Sequence, residues 1–181
     1  MDTPVKSTRA GSLKLYHELM ANKVGDILLV SCPYDAFIME EEGRLSTRII
    51  NEYKGLNLSK PPKLTWVSSA SEAFQRLEEK RFDLILAMPS LDGMDVYSFG
   101  AKVKQRYVDL PFFMLLHNTC DIDQYICLDN STAIDRTYIW GGNADLLLAI
   151  IKNFEDEMNV AFDTENADVR VVILVEDSPY H

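Results

Sequence analysis

Cys32, Asp35, Asp92 and His117 are the side chains of this sequence with the clearest means to do chemistry. A thiol and an imidazole brought within hydrogen-bond reach can act as nucleophile and base, which Cys32 and His117 could do if the segments carrying them end side by side. Two carboxylates can share a hard divalent cation, which makes Asp35 and Asp92 a candidate pair. Trp140 could line a small-ligand crevice beside them. Each residue also has a plainer role. Asp35 suits the opening turn of a helix, where the helix dipole favours a carboxylate, and Asp92-Gly93 reads as a turn. Cys32, Cys120 and Cys127 are odd in number and lack CxxC spacing, so they fit reduced, buried thiols better than a disulfide framework or a zinc site. His17 and His181 lie too far from His117 in the chain to complete a metal set with the cysteines, and no cofactor is expected.

These groups are positioned by a repeating pattern of elements. Short apolar runs at Asp26 to Val30, Lys63 to Val67, Asp83 to Ala87, Pro111 to Leu116 and Arg136 to Trp140 read as parallel strands buried on both faces. Helical patterns alternate with them: Leu45, Ile49 and Tyr53 on a first helix that Asp35 begins, Ala73, Phe74 and Leu77 on a second, and Val96, Phe99, Val103 and Tyr107 on a third. Ser69 and Glu72 have capping-box spacing at the start of the second. The final stripe, Leu147, Ile150, Ile151, Phe154 and Met158, follows Asn143 as a candidate N-cap. A short lead helix is expected at about Ser12 to Met20. A long loop is expected over Lys54 to Pro62, and only a weak helical pattern lies between His117 and Ala133. Glu40 to Glu42 read as a solvated helix face. Strict alternation of strand and helix predicts a doubly wound α/β fold, a five-stranded parallel sheet in the order 2-1-3-4-5.

Composition narrows the function. The chain has 181 residues, enough for one well-buried domain plus a fragment, and a net charge of −10. That balance, with no basic stripe, argues against nucleic acid as a partner. The apolar runs are strand-length, and the first residues lack the apolar core of a signal peptide, so no membrane partner is expected and a cytoplasmic location is. One internal echo stands out: ILLVSCPY at Ile27 to Tyr34 returns as ILVEDSPY at Ile173 to Tyr180. Only the second copy carries an acidic pair, Glu176 and Asp177.

The ILLV strand, FDLILAMPSLDGMDV at Phe82 to Val96, DLPFFMLL at Asp109 to Leu116 and TYIWGGNADLLLAII at Thr137 to Ile151 together resemble a response-regulator receiver domain over about Asp26 to Phe162. The Met88-Pro89…Asp92-Gly93 fragment is the most specific of these. The whole also resembles the N-terminal receiver-like module of long bacterial proteins in which tandem receivers precede a pyruvate phosphate dikinase-type ATP-binding region. The resemblance implies a flavodoxin-like (CheY-like) fold and a division into a lead helix at 1–24, a receiver-like domain at 25–163, and a linker with the first strand of a following, truncated receiver at 164–181. The tail strand, Val169 to Val175, is expected either as a sixth strand beside the fifth or as an edge that pairs with another chain.

Receivers of two-component phosphorelays hold Mg²⁺ with two acids after the first strand and an aspartate ending the third, which accepts the phosphoryl group. A Ser or Thr after the fourth strand and a Lys after the fifth contact the phosphoryl oxygens. Phosphoryl transfer of this kind depends on positioning and on cations that neutralise the transferred oxygens. Carried onto this chain, the acid pair falls on Ser31 and Cys32, the acceptor on Ala87 or Met88, the Ser/Thr on Leu116 and the Lys on Trp140, with Gly141 and Gly142 after it. The resemblance therefore implies a noncatalytic pseudo-receiver with a degenerate phosphorylation pocket, in which Trp140 fills vacated space, and a residual polar site limited to Asp35, Asp92 and His117. Its expected partners are a protein or neighbouring domains of the same polypeptide, with a homodimer formed through the C-terminal strand or through the face that receivers build from their fourth helix, fifth strand and fifth helix. The alternative is a small-ligand sensor or enzyme using the strand-end crevice near Cys32, His117 and Trp140.

Overall fold

The computed structural model describes residues 20–43, 45–55, 60–118, 125, 133–140, 144–167 and 171. Its strands are β1 (Asp26–Val30), β2 (Lys63–Val67), β3 (Leu84–Ala87), β4 (Phe112–Leu116) and β5 (Arg136–Ile139), and they pair in the order β2-β1-β3-β4-β5. Every pairing is parallel, with Leu29 opposite Trp66 and Leu86, and Leu116 opposite Ile139. The order and the strand positions agree with the sequence reading to within a residue. Burial does so for only part of the sheet. The strands β1, β3 and β4 are enclosed almost throughout, whereas the edge strands are half open, Trp66 at 44% and Ile139 at 40% exposure. An edge strand lacks a neighbour on one side, so an apolar run does not by itself guarantee cover on both faces.

Between the strands lie α1 (Pro33–Gly43), α2 (Leu45–Gly55), α3 (Ala70–Glu79) and α4 (Val96–Arg106), and α5 (Ala144–Ala167) follows the sheet. The first crossover was expected as one helix; its described residues are helical over Pro33–Gly43 and Leu45–Gly55, and the residue between them lies outside the described ones. Helix α2 keeps the expected stripe, with Ile49 and Tyr53 buried, and extends to Gly55, into what the sequence suggested was loop. Ser69 caps α3 as its spacing implied, its hydroxyl accepting from Glu72 N at 3.2 Å, while the Glu72 carboxylate accepts from Ser68 N. Asp95 caps α4 through Ser98 N at 2.9 Å. Phe99, Val103 and Val96 of α4 join Phe112, Met114 and Leu116 of β4, and Ala73 and Leu77 of α3, in one apolar core. Phe99 meets both Phe74 and Phe112 edge-on.

The amino ends of the strands are held by charge. Asp83 accepts from Gly25 N and Asp26 N, Lys80 pairs with Asp26 at 2.7 Å, and Asp135 takes both Phe112 N and the Lys104 ammonium. Two compact units divide the chain: Val24–Ala149, which contains the sheet, and Met1–Lys23 with Ile150–His181. In the second, Asn159 reads the backbone of Asn22 with both ends of its amide, and Asp163 accepts from Met20 N. Met20 has φ +55°, so the expected lead helix does not extend regularly through it, and its earlier residues lie outside the described ones. So do most of the fourth crossover, Cys120 and Cys127, Gly141 to Asn143, and the tail strand. The described sheet has five strands.

Candidate functional site

The carboxyl ends of β1, β3, β4 and β5 converge, and the residues leaving them form the candidate site. Met88 N donates to Val30 O at 2.9 Å, which places Ala87 and Met88 directly beside the end of β1. Trp140 N donates to Leu116 O at 2.6 Å, extending the β4–β5 ladder by one residue. Ala87, Met88 and Leu116 are completely buried and Trp140 is 3% exposed. The four residues onto which the receiver resemblance carried an acceptor and its hydroxyl and ammonium contacts are therefore enclosed apolar side chains.

Ser31 and Cys32, onto which the resemblance carried the acid pair, have partners of their own. Ser31 is fully buried; its N–H donates to Val67 O, and its hydroxyl accepts from the Trp66 indole N–H at 2.9 Å. Trp66 thus spans from the edge strand to the end of β1, a link between residues 35 apart in sequence that no local pattern announces. Cys32 is half buried, and its sulfur accepts from Asp35 N at 3.5 Å. Burial pushes the Cys32 thiol above its ordinary pKa, and the nearby Asp35 carboxylate pushes the same way, so at neutral pH the sulfur is a thiol rather than a nucleophilic thiolate.

Asp35 sits in the first turn of α1, as expected, but its side chain does not face solvent. It is 96% buried by side-chain area (4% exposed), with one oxygen 3.1 Å from His117 Nε2 and the other, Oδ2, without a hydrogen-bond partner. His117 keeps 40% of its side chain exposed and lies tilted against Trp140, ring centroids 6.3 Å apart. An Asp–His contact of this kind fixes the ring's orientation and leaves Nδ1 toward other partners. The sequence paired Cys32 with His117; the structure makes Asp35 the residue that touches both. Asp92 is exposed and bridges to the Ser69 backbone. It lines a 520 Å³ groove with Ala70, Phe74, Lys102 and Arg106, apart from the Asp35–His117 pair. No cluster of three or more His, Cys, Asp or Glu able to hold a metal occurs among the described residues.

No family model matches the sequence, and no curated protein matches it either. Solved structures do. A signal receiver domain of an HD domain-containing protein from Pseudomonas fluorescens is 19% identical over 78% of this chain and 94% of its own, with a TM-score of 0.58. A CheY-like response regulator receiver domain protein from Methanospirillum hungatei is 19% identical over 77% and 99%, at 0.55. A response regulator from Thermotoga maritima, in complex with Mg²⁺–BeF, is 14% identical over 71% and 97%, at 0.53. With the strand order and the flanking helices, these likenesses give the chain the fold of response-regulator receiver domains, the CheY-like form of the flavodoxin-like architecture.

Proposed function

We propose that this chain is a pseudo-receiver: a noncatalytic module of signal transduction that works through protein contacts and does not accept a phosphoryl group. The observation that carries this reading is the enclosure of Ala87, Met88, Leu116 and Trp140 at the strand ends. The neighbour from Thermotoga maritima is described with Mg²⁺–BeF. A hard divalent cation needs oxygen ligands, chiefly carboxylates. Here the aligned residues offer a serine hydroxyl committed to Trp66, a protonated thiol and apolar side chains. Without metal, acceptor or cation, neither positioning nor charge neutralisation of a phosphoryl group is available. An ordinary receiver shifts between two states on phosphorylation; one that cannot be phosphorylated acts through a fixed or partner-controlled surface. Neighbouring domains of the same polypeptide are the natural partners, and the ILVEDSPY echo supports reading 164–181 as a linker and the opening strand of another receiver.

Incubation with Mg²⁺ and acetyl phosphate, followed by intact mass measurement, tests the proposal. No adduct is expected, and beryllofluoride with Mg²⁺ should leave the melting temperature unchanged. A stoichiometric phosphoryl adduct mapped to Asp35 or Asp92 would sink the proposal.

A second reading has one observation in its favour. Buried Asp35, with one oxygen unpartnered, and His117, 3.1 Å from the other, form a polar site at the strand ends, suited to a small ligand that supplies a hydrogen-bond donor. A screen of small amines and amides by thermal shift separates the two. A ligand whose stabilisation is lost in Asp35→Asn supports the sensor reading, and none is expected if the module works through protein contacts alone.

A further inference from the structure

We infer that the groove between α3 and α4 is a docking site for a short extended segment of a partner protein, apolar in the middle, basic at one end and acidic at the other; this rests on the protein-interaction reading above. The groove encloses about 520 Å³, with Ala70, Phe74 and Met94 as its apolar floor. That volume falls in the range of binding sites, roughly 300–1,000 Å³. The floor is held from beneath, since Phe74 packs edge-on against the buried Phe99 at 5.3 Å. The way in is open. A Cβ built on Gly93, which has φ +80°, meets nothing within 4 Å, and Ser71, Asp92, Lys102 and Arg106 are exposed.

The two ends of the groove carry opposite charge. The backbone bridge between Ser69 and Asp92 sets Asp92 beside the start of α3. Lys102 and Arg106, one turn apart, lie in the second half of α4, and the Arg106 guanidinium stands over the Phe74 ring at 5.4 Å. Along the axis of α4, its first residue is about 9 Å from Lys102 and about 15 Å from Arg106. The ends are thus too far apart to neutralise each other, and among the described residues the side chains of Asp92 and Lys102 make no hydrogen bond or ion pair. Arg106 is only loosely engaged. Its contact with Glu78, at 3.5 Å, joins side chains 60% and 67% exposed, and exposed pairs of this kind are weak. A guanidinium already stacked on a ring can offer its edge to an incoming carboxylate.

Charge and shape together select the occupant. The chain has a net charge of −10, yet α4 reads VYSFGAKVKQR, with cations and no acid. Lys104 is committed to Asp135 at 2.6 Å, which leaves Lys102 and Arg106 to the groove. A small molecule in its own site has most of its surface enclosed, whereas here exposed side chains stand along both rims. An extended segment laid lengthwise buries its apolar side chains against Phe74 and Met94 and keeps its backbone in water. At about 3.3 Å per residue, three or four residues match the separation of the charged ends. An acidic residue then meets Lys102 and Arg106 while a basic one meets Asp92. Asp92 repels a purely acidic segment, and the cations repel a purely basic one.

The test uses the full chain, isotope-labelled, and the tetrapeptide Lys-Leu-Leu-Glu with blocked termini, read by amide chemical shifts, which report affinities as weak as millimolar. Saturable shifts should centre on Ser71, Gly93 and Lys102. Lys-Leu-Leu-Lys and Glu-Leu-Leu-Glu should each bind at least about fivefold more weakly, and Lys-Ser-Ser-Glu about tenfold more weakly. The double variant Lys102→Glu/Arg106→Glu should turn the preference to Lys-Leu-Leu-Lys, and Asp92→Lys should turn it to Glu-Leu-Leu-Glu. Equal binding of the four peptides overturns the inference, as do charge reversals that leave the order of affinities unchanged in chains with parental circular dichroism. So do shifts centred elsewhere on the chain. A concentration-dependent dimer of the free chain, seen by light scattering and abolished by Asp92→Lys, overturns it by making the occupant a second copy. No saturable binding up to about 10 mM also overturns it, yet leaves the pseudo-receiver reading to its own phosphorylation test.

Discussion

Asp35 is where the chemistry of this chain is most tightly constrained, because a buried carboxylate with one unpartnered oxygen has the His117 imidazole 3.1 Å from the other. Removing that imidazole in His117→Ala should cost about 1–3 kcal/mol by chemical denaturation, the range for stranding a buried polar group. Asp35→Asn removes the charge while keeping an acceptor for the imidazole, so it should cost less than His117→Ala; the reverse order would mean that the ion pair itself stabilises the fold. Cys32 follows from the same surroundings. Peptide-mapped alkylation should be slow at neutral pH and accelerate only above the ordinary thiol range, because burial and the Asp35 carboxylate both resist the thiolate. Trp140, 3% exposed, should lose about 3–5 kcal/mol on conversion to alanine. A loss under about 1 kcal/mol would mean that the indole is not core.

Helix α4 shows how an element is fitted to its place by one residue at each end of the size scale. A Cβ added at Gly100 would lie 2.9 Å from the Ala133 carbonyl oxygen and 3.4 Å from its side chain. The glycine lets the helix lie close against the chain entering β5. Gly100→Ala, which would stabilise an isolated helix, should destabilise this one by about 1–3 kcal/mol through overpacking, and a rise in melting temperature would contradict the close approach. At the helix start, hydrogen bonds from Ser98 hold the Asp95 carboxyl below its ordinary pKa. A carboxylate depressed in the folded state stabilises above its unfolded pKa, and that contribution disappears as pH falls through the folded value. Asp95→Ala should therefore cost about 1 kcal/mol at neutral pH. The difference from the parent should shrink as pH drops below about 4, which paired denaturation curves would reveal.

Across the whole sheet, burial is graded from centre to edge. β1, β3 and β4 carry the fully enclosed residues, while β2 and β5 leave Trp66 and Ile139 partly in water. Amide exchange should follow that gradient, with the amides of Leu28, Ile85 and Met114 protected to the limit of global unfolding and those of the edge strands opening at lower free energy. Uniform protection from β2 to β5 would show that both edges are covered in solution. Among the described residues no helix is long and apolar enough to cross a membrane.

The strand order was legible in the chain itself, because alternating apolar runs and helical stripes admit few right-handed parallel arrangements. So was the apolar character of the strand ends, where Ala87, Met88, Leu116 and Trp140 are buried, since residue identity and position relative to each strand are both written in sequence. The half-open edge strands were not, because an apolar run does not show which strand lacks a neighbour on one side. Asp35 read as a helix-start carboxylate, and only the fold, which brings His117 after β4 to within 3.1 Å of it, shows it buried beside an imidazole. The Ser31–Trp66 bond and the polar stripe Glu155, Asn159 and Asp163 share that origin. Local pattern determines which elements form and which residues they carry. Whether a polar side chain ends in water or in a buried hydrogen bond depends on what distant chain the fold lays against it, and that was decided by tertiary structure alone.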